Sequence, residues 1–195
     1  METTRIANAD LRFSRIGLGT WAMGGWMWGG TDEQESIRTI HSAIDRGITL
    51  IDTAPVYGFG RSEEIVGKAL AAGGLRRRVV IATKVGLDWS NGEPFRNATR
   101  ARIFAEIEAS LKRLKTDVID IYQVHWPDPM IPIAETADAM ATLFKQGKIR
   151  EAIQQWEVAV SGWKAAAPGD QDPVELAKVT KKLDAAKVKV TEKAR

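Results

Sequence analysis

The sequence predicts an α/β protein built on a parallel sheet, and three observations lead there. Between Ile16 and Phe144 short apolar runs alternate with amphipathic segments, the signature of repeated βα units. The short runs are apolar at successive positions, so each strand is buried on both faces. The intervening segments repeat their apolar residues every three and four positions, so each is a helix with one face to bury. Parallel strands joined by helices belong either to a doubly wound sheet or to a closed (β/α)₈ barrel.

The elements follow in order. Arg5-Ile6-Ala7 and Leu11-Arg12-Phe13 flank Asn8-Ala9-Asp10, which predicts a small hairpin ahead of the first parallel strand. Strands are expected at Ile16 to Thr20, Thr49 to Asp52, Val79 to Lys84 and Ile119 to Val124. The helix after the first carries Ile37, Ile40 and Ile44, and the next carries Ile65, Val66, Ala69 and Leu70. Ile103, Ile107, Leu111 and Leu114 mark the third helix, and Ile133, Ala137, Met140 and Phe144 the fourth. Asn97-Ala98-Thr99 reads as the cap of the third helix, and His41 as a surface or packing residue of the first.

Composition narrows the function classes. The 195 residues are 44% hydrophobic, enough for one domain with a core and an extension. No apolar run reaches the roughly 18 residues that span a bilayer, and METTRIANADLRF has no signal-type apolar stretch, so a cytoplasmic protein without membrane partners is expected. With no cysteine and two histidines, no metal site is expected. The net charge of +3 comes from interspersed charges, whereas a nucleic-acid face needs clustered ones. Arg76-Arg77-Arg78 is the one basic run and reads as a solvated loop before a strand.

Gly17-Leu18-Gly19-Thr20-Trp21-Ala22 matches the G-x-G-x-x-A dinucleotide fingerprint. In that motif, however, the glycines open directly into a helix, and an acid follows about 20 residues later. Here Gly24-Gly25-Trp26-Met27-Trp28-Gly29-Gly30 intervenes, and the next strand-end acid, Asp52, lies too far along. The spacing argues against a Rossmann unit.

Chemistry-bearing residues gather at strand ends. Asp52 closes the second strand and Tyr57 lies in the loop after it; Lys84 closes the third strand and His125 follows the fourth. Parallel α/β proteins place their chemistry at this C-terminal face. A tyrosine hydroxyl, with an unperturbed pKa near 10, is a reluctant acid at neutral pH. A lysine ammonium beside it stabilises the phenolate, and a carboxylate keeps that lysine charged and aimed. A neutral histidine can donate a hydrogen bond to an oxygen on which negative charge grows. Together the four suit protonation of a carbonyl oxygen as hydride reaches its carbon.

RIGLGTW (15 to 21), LIDTAPVYGFGRSEEIVGKAL (50 to 70), VVIATKVG (79 to 86), SLKRLKTDVIDIYQVHWPDP (110 to 129) and KQGKIR (145 to 150) resemble the aldo-keto reductases. These are (β/α)₈ barrels that reduce aldehydes and ketones with NADPH. The resemblance implies a catalytic tetrad of Asp52, Tyr57, Lys84 and His125, with Tyr57 as general acid. It also implies that Gly19, Thr20 and Asp52 lie near the nicotinamide, and that Trp21, Trp89 and Trp126 line the carbonyl pocket.

In that family KIR leads at once into a fifth strand with a Ser-Asn signature, and three further βα units supply the rest of the cofactor site. Barrels of this kind need about 250 residues, so the expectation is a partial (β/α)₈ TIM barrel over residues 1–150, weak or inactive alone. Beyond it, Ile149, Ile153, Trp156, Val160, Trp163 and Ala167 form a heptad seam, echoed by Leu176, Val179, Leu183, Ala186 and Val190. Residues 151–195 therefore read as a foreign helical hairpin, broken at Pro168-Gly169 and restarted at Asp172-Pro173. A second reading makes Trp156, Val158 and Val160 a strand, with Val160-Ser161-Gly162-Trp163 a displaced echo of the fifth-strand signature. The half barrel leaves open edges and an apolar interior, which a second copy in a homodimer or the tail could cover. The rival functional class is a non-catalytic assembly module in which the heptad tail mediates oligomerisation.

Overall fold

The computed structural model describes residues 1–6, 11–71 and 73–150. The expected helical hairpin at 151–195 and the turn at Asn8-Ala9-Asp10 lie outside the described residues. Within them, β1 (Thr3–Arg5) pairs antiparallel with β2 (Arg12–Ser14), in register Thr3 with Ser14 and Arg5 with Arg12. The hairpin expected before the first parallel strand is present, and it reaches back to Thr3.

Four parallel strands follow in sequential order: β3 (Gly17–Gly19), β4 (Leu50–Asp52), β5 (Val80–Val85) and, after the hairpin described below, β8 (Ile121–Val124). Helix α1 (Glu33–Asp45) connects the first pair, α2 (Arg61–Leu70) the second, and α3 (Arg100–Leu114) leads into β8, which is followed by α4 (Ile133–Lys145). A Gly-rich segment and a 3₁₀ turn at Ala22–Gly24 separate β3 from α1, so the G-x-G-x-x-A match does not open a helix.

Consecutive helices pack on one another, and all four contribute to one core with Ile51, Ile81, Val85 and Tyr122 of the sheet. Right-handed crossovers joining strands in sequential order put every helix on the same side. The sheet is therefore singly wound over these four strands, consistent with an arc of a (β/α)₈ barrel.

The register assigns the other face. Gly19 pairs with Asp52, Asp52 with Ala82, Ala82 with Ile121, and Lys84 with Gln123. Side chains alternate along a strand, so Leu50 and Asp52, then Val80, Ala82 and Lys84, then Ile121 and Gln123 share the face away from the helices. The lower, apolar part of this face packs against Leu11, Ile6 and Phe13 of the N-terminal hairpin. The interior surface expected to need a second copy or the tail is covered in part by the chain's own first residues.

Helix ends follow local chemistry. The Asp32 carboxylate accepts from the Glu35 amide at 2.8 Å, capping α1, and Glu33 and Glu35 favour its positive end. Thr99 caps α3 by accepting from the Arg102 amide at 3.3 Å, and the Asn97 side chain accepts from the Thr99 hydroxyl at 2.8 Å. Lys115 ends α3 in the left-handed region at φ 54°.

Three details depart from the sequence expectation. Strand β3 begins at Gly17 and leaves Ile16 60% exposed. Ile119 lies outside β8 and forms a parallel bridge with Ile149: its amide donates to Lys148 O, and Arg150 N donates to Ile119 O, both at 3.0 Å. KIR thus starts pairing along the outer edge of the last strand. Finally, β6 (Leu87–Ser90) and β7 (Glu93–Arg96) form an additional hairpin above β5. It turns at Asn91 and Gly92, both with positive φ, the residue pair that tight hairpin turns favour.

Candidate functional site

The ends of β4, β5 and β8 and the loop after β4 bring Asp52, Tyr57, Lys84 and His125 together. The Lys84 ammonium donates to both carboxylate oxygens of Asp52, at 2.8 and 2.9 Å, and to the Thr53 carbonyl at 2.8 Å. The Lys84 side chain is 13% exposed and that of Asp52 36%, so the ammonium is shielded while water reaches the carboxylate. The ammonium nitrogen stands over the Tyr57 ring, 4.8 Å from the centroid. The His125 ring meets Tyr57 edge-on at 5.7 Å, and its backbone amide, donating to Val85 O at 2.7 Å, fixes where the loop leaves β8.

Burial, reinforced by the positive charge of Lys84, lowers the pKa of His125 to about 4. The imidazole is neutral at physiological pH and can donate a hydrogen bond without carrying a proton to spare. The expected acid, its cation, the carboxylate behind the cation and a neutral hydrogen-bond donor are assembled in one place.

Two glycines allow the Tyr57 loop to settle. A Cβ at Gly24 would lie 2.5 Å from the Tyr57 carbonyl carbon and oxygen, and one at Gly58, where φ is 67°, would lie 2.1 Å from Gly24 O. The Gly24-Gly25 segment that separates β3 from α1 is therefore a backbone cradle for the loop carrying Tyr57.

Aromatic residues surround the site. Trp21 stacks on Tyr57 at 6.0 Å, Trp28 meets Trp21 edge-on at 5.5 Å, and Trp126 lies 6.1 Å from His125, with Trp21, Trp28 and Trp126 all exposed. Trp89 sits farther out. It packs on Phe59 at 5.7 Å and beneath the Arg102 guanidinium at 5.1 Å, and among the described residues no ring contact joins it to the tetrad. Trp26, Trp28 and Phe59 join this aromatic group although the sequence singled out none of them.

The residues expected near a nicotinamide divide. Gly19 is exposed beside Asp52, and a Cβ there would meet no atom within 4 Å, so the backbone at this strand end opens onto free space. Thr20 is fully buried; its hydroxyl donates to Asp52 O at 3.0 Å and contacts Ser62 Oγ at 2.7 Å. It has no surface to offer a ligand, because the strand-end alternation turns it toward the helix layer.

Behind the site lies a buried ion network that residue types alone did not reveal. Glu63 accepts from the Thr83 hydroxyl at 2.6 Å and from Arg113 Nε at 2.6 Å, while Arg113 and Arg102 both pair with Glu106. Burial raises the pKa of Glu106, opposed by the neighbouring charges of Arg113 and Arg102. Arg76, expected in a solvated loop, instead donates to Asp120 at 2.7 Å, to the Val118 and Val79 carbonyls and to Thr116. Arg77 and Arg78 alone keep the expected exposure. His41 fulfils its packing role by a 2.8 Å contact with Ala69 O of α2.

Among the described residues no helix is long and apolar enough to cross a membrane. Comparison with known proteins places this site in context. A family model for the aldo/keto reductase family matches residues 15–166. The aldo-keto reductase YhdN of Bacillus subtilis (strain 168) is 65% identical over 150 residues, a match covering 77% of this chain and 45% of that protein. The solved glycerol dehydrogenase AKR11B4 from Gluconobacter oxydans is 53% identical, with a TM-score of 0.70 over 76% of this chain and 46% of that one. An aldo/keto reductase from Klebsiella pneumoniae, solved in complex with NADP and acetate, is 38% identical, with a TM-score of 0.62 over 76% and 47%. The chain thus spans about half the length of the relatives it matches. The family match passes Arg150, where the motifs ended, and runs to residue 166, so the first part of the supposed foreign tail falls within the family's own span. By this match, over more than half its length, the chain belongs to the aldo/keto reductase family.

Proposed function

We propose that the chain is an oxidoreductase unit that reduces the carbonyl of an aldehyde or ketone, with NADP(H) as coenzyme and Tyr57 as general acid. The observation that carries this reading is the Lys84 ammonium, held by Asp52 and Thr53 and standing over the Tyr57 ring. A bound nicotinamide coenzyme would supply hydride chemistry at the carbonyl carbon. Tyr57 gives its hydroxyl proton to the carbonyl oxygen, and the lysine charge stabilises the phenolate that remains. Neutral His125 donates a hydrogen bond to the same oxygen, and solvent returns the proton to Tyr57. Gly19 and Asp52 would border the nicotinamide, with Thr20 supporting Asp52 from behind, and Trp21 and Trp126 would line the carbonyl pocket with Trp89 at its outer margin.

The matched region covers about half of each relative, so part of the coenzyme grip is absent from it and the chain alone is weak or inactive. This reading divides the protein into a partial barrel over residues 1–150 and a helical hairpin over 151–195, in a cytoplasmic setting. Two copies closing one ring would restore the missing wall. NADPH titration of the purified chain, combined with its solution mass at several concentrations, tests this. Weak binding that strengthens with self-association is expected, whereas saturable micromolar binding to a monomer overturns the incomplete-site reading. On a generic aldehyde, Tyr57→Phe should reduce any turnover at least about 100-fold; turnover that survives the change removes Tyr57 from its role.

A further inference from the structure

The tetrad accounts for Asp52, Tyr57, Lys84 and His125, yet three fully buried hydroxyls lie immediately behind it: Thr20, Thr53 and Ser62. Ser62 is the second residue of α2. Its hydroxyl donates to the Thr20 carbonyl at 2.8 Å and contacts the Thr20 and Thr53 hydroxyls at 2.7 and 3.1 Å. Its backbone amide donates to the Tyr57 carbonyl at 3.1 Å.

The partners of Ser62 hold the carbonyl side of a single peptide link, whose N–H is bonded separately to Ala82 O at 2.9 Å. Thr20 holds the Asp52 carbonyl with both its amide, at 2.9 Å, and its hydroxyl, at 3.0 Å. Thr53 is the next residue, and its carbonyl is the third acceptor of the Lys84 ammonium. All three acceptors that hold Lys84 therefore come from residues 52 and 53. An ammonium has three N–H groups, and all three are occupied, so the place of this charge beside Tyr57 is set by wherever that link sits.

We infer that Ser62 is a positioning residue that locks the Asp52–Thr53 link and so fixes the Lys84 ammonium over the Tyr57 ring. It does so from a helix N-terminus, and it ties the Tyr57 loop to the same point through its own amide. Glu63 braces the adjacent strand: it accepts from the hydroxyl of Thr83, next to Lys84, and is itself held by Arg113. The inference rests on the tetrad reading of the site, but its consequence is the position of a charge, which can be read without turnover.

The chain has two histidines, so the ring protons of His125 can be followed by NMR as pH is lowered. Lys84 is the charge whose repulsion adds to burial in lowering the pKa of this ring. Lys84→Met should move the titration upward from about 4 and sets the full effect of losing the charge. Ser62→Ala keeps the backbone amide and removes only the hydroxyl. It should move the titration in the same direction, by about a third or more of the Lys84→Met shift, as the ammonium leaves its fixed place. Thr53→Val is nearly isosteric, removes a hydroxyl of the same cluster and should shift His125 likewise; it decides the matter should Ser62→Ala fail to fold. A Ser62→Ala protein that melts lower but titrates at the wild-type midpoint has only a structural serine, and the inference fails. A Lys84→Met protein with an unmoved His125 also overturns it, since the charge would not lie where the inference requires. Loss or survival of turnover in Tyr57→Phe bears on the proposed reaction and leaves this outcome unaffected.

Discussion

His125 makes the folded state sensitive to acid in a direction that follows from its surroundings. Burial first, and the Lys84 charge second, bring its pKa from 6.5 to about 4. Between those values the unfolded chain binds a proton that the folded chain refuses, so stability falls as pH drops through that window and is restored above it. Discounted for the ring's partial exposure, the loss at pH 4.5 relative to pH 7 is about 1–2 kcal/mol. Urea unfolding at the two pH values should give a difference smaller by that amount in His125→Gln than in wild type; an equal difference would show that the ring is not protected from protons. At this scale the gathering of Asp52, Lys84 and His125 was legible because they stand at or just past the ends of neighbouring strands, whereas Tyr57 owes its place to a loop seated on Gly24. The places of Thr20 and Trp89 were not legible. Thr20 is committed to Ser62, which lies on another element, and Trp89 is placed by Phe59 and Arg102, partners that no local pattern announces.

Among the elements, α2 and α3 meet through charges rather than apolar side chains alone. Arg113 is the common partner of Glu63 and Glu106, both of them buried. Removing one partner of a buried ion pair leaves an uncompensated charge, which costs about 3–5 kcal/mol. Arg113→Met should therefore lower the unfolding free energy from urea titration by an amount in that range, and a change under 1 kcal/mol, roughly the worth of a surface ion pair, would show the network to be solvated. Arg102, Glu106 and Arg113 fall at helical spacing with the apolar Ile103 and Ile107, yet sequence reading assigns charged residues to the outer face of a helix. The positions of the helices were legible from their period. The polar seam was not, because it exists only once Glu63 of α2 arrives opposite. The β6–β7 hairpin was missed for a different reason: its Asn-Gly turn is a strong signal, but the strands on either side of it are four residues each and carry no clean alternation.

For the molecule as a whole, sequence periodicity established parallel strands and helices, while the choice between a doubly wound and a singly wound sheet needed the strand order. The apolar face away from the helices was expected to require cover from a second copy or the tail. The structure supplies part of that cover from Leu11, Ile6 and Phe13, which pack on Val80, Ala82, Ile121 and Leu50. The turn residues Asn8-Ala9-Asp10 identified the hairpin but could not say on which face of the sheet it would dock. If the hairpin closes this face, its removal from the surface must cost stability and shrink the cooperative unit together. Leu11→Asp places a carboxylate against Val80, Ala82 and Ile121, where an unpaired charge is strongly disfavoured, so the hairpin should lift away with a loss of about 3 kcal/mol. Less surface would then be exposed on unfolding, so the urea m-value should fall with the midpoint. The His125 titration, set at the opposite end of the strands, should stay near 4. A Leu11→Asp protein with wild-type midpoint and m-value would mean that the hairpin contributes no cover. A shifted His125 would mean that the two ends of the sheet are coupled through the strands, and the bottom of the sheet could not then be treated as separate from its chemistry.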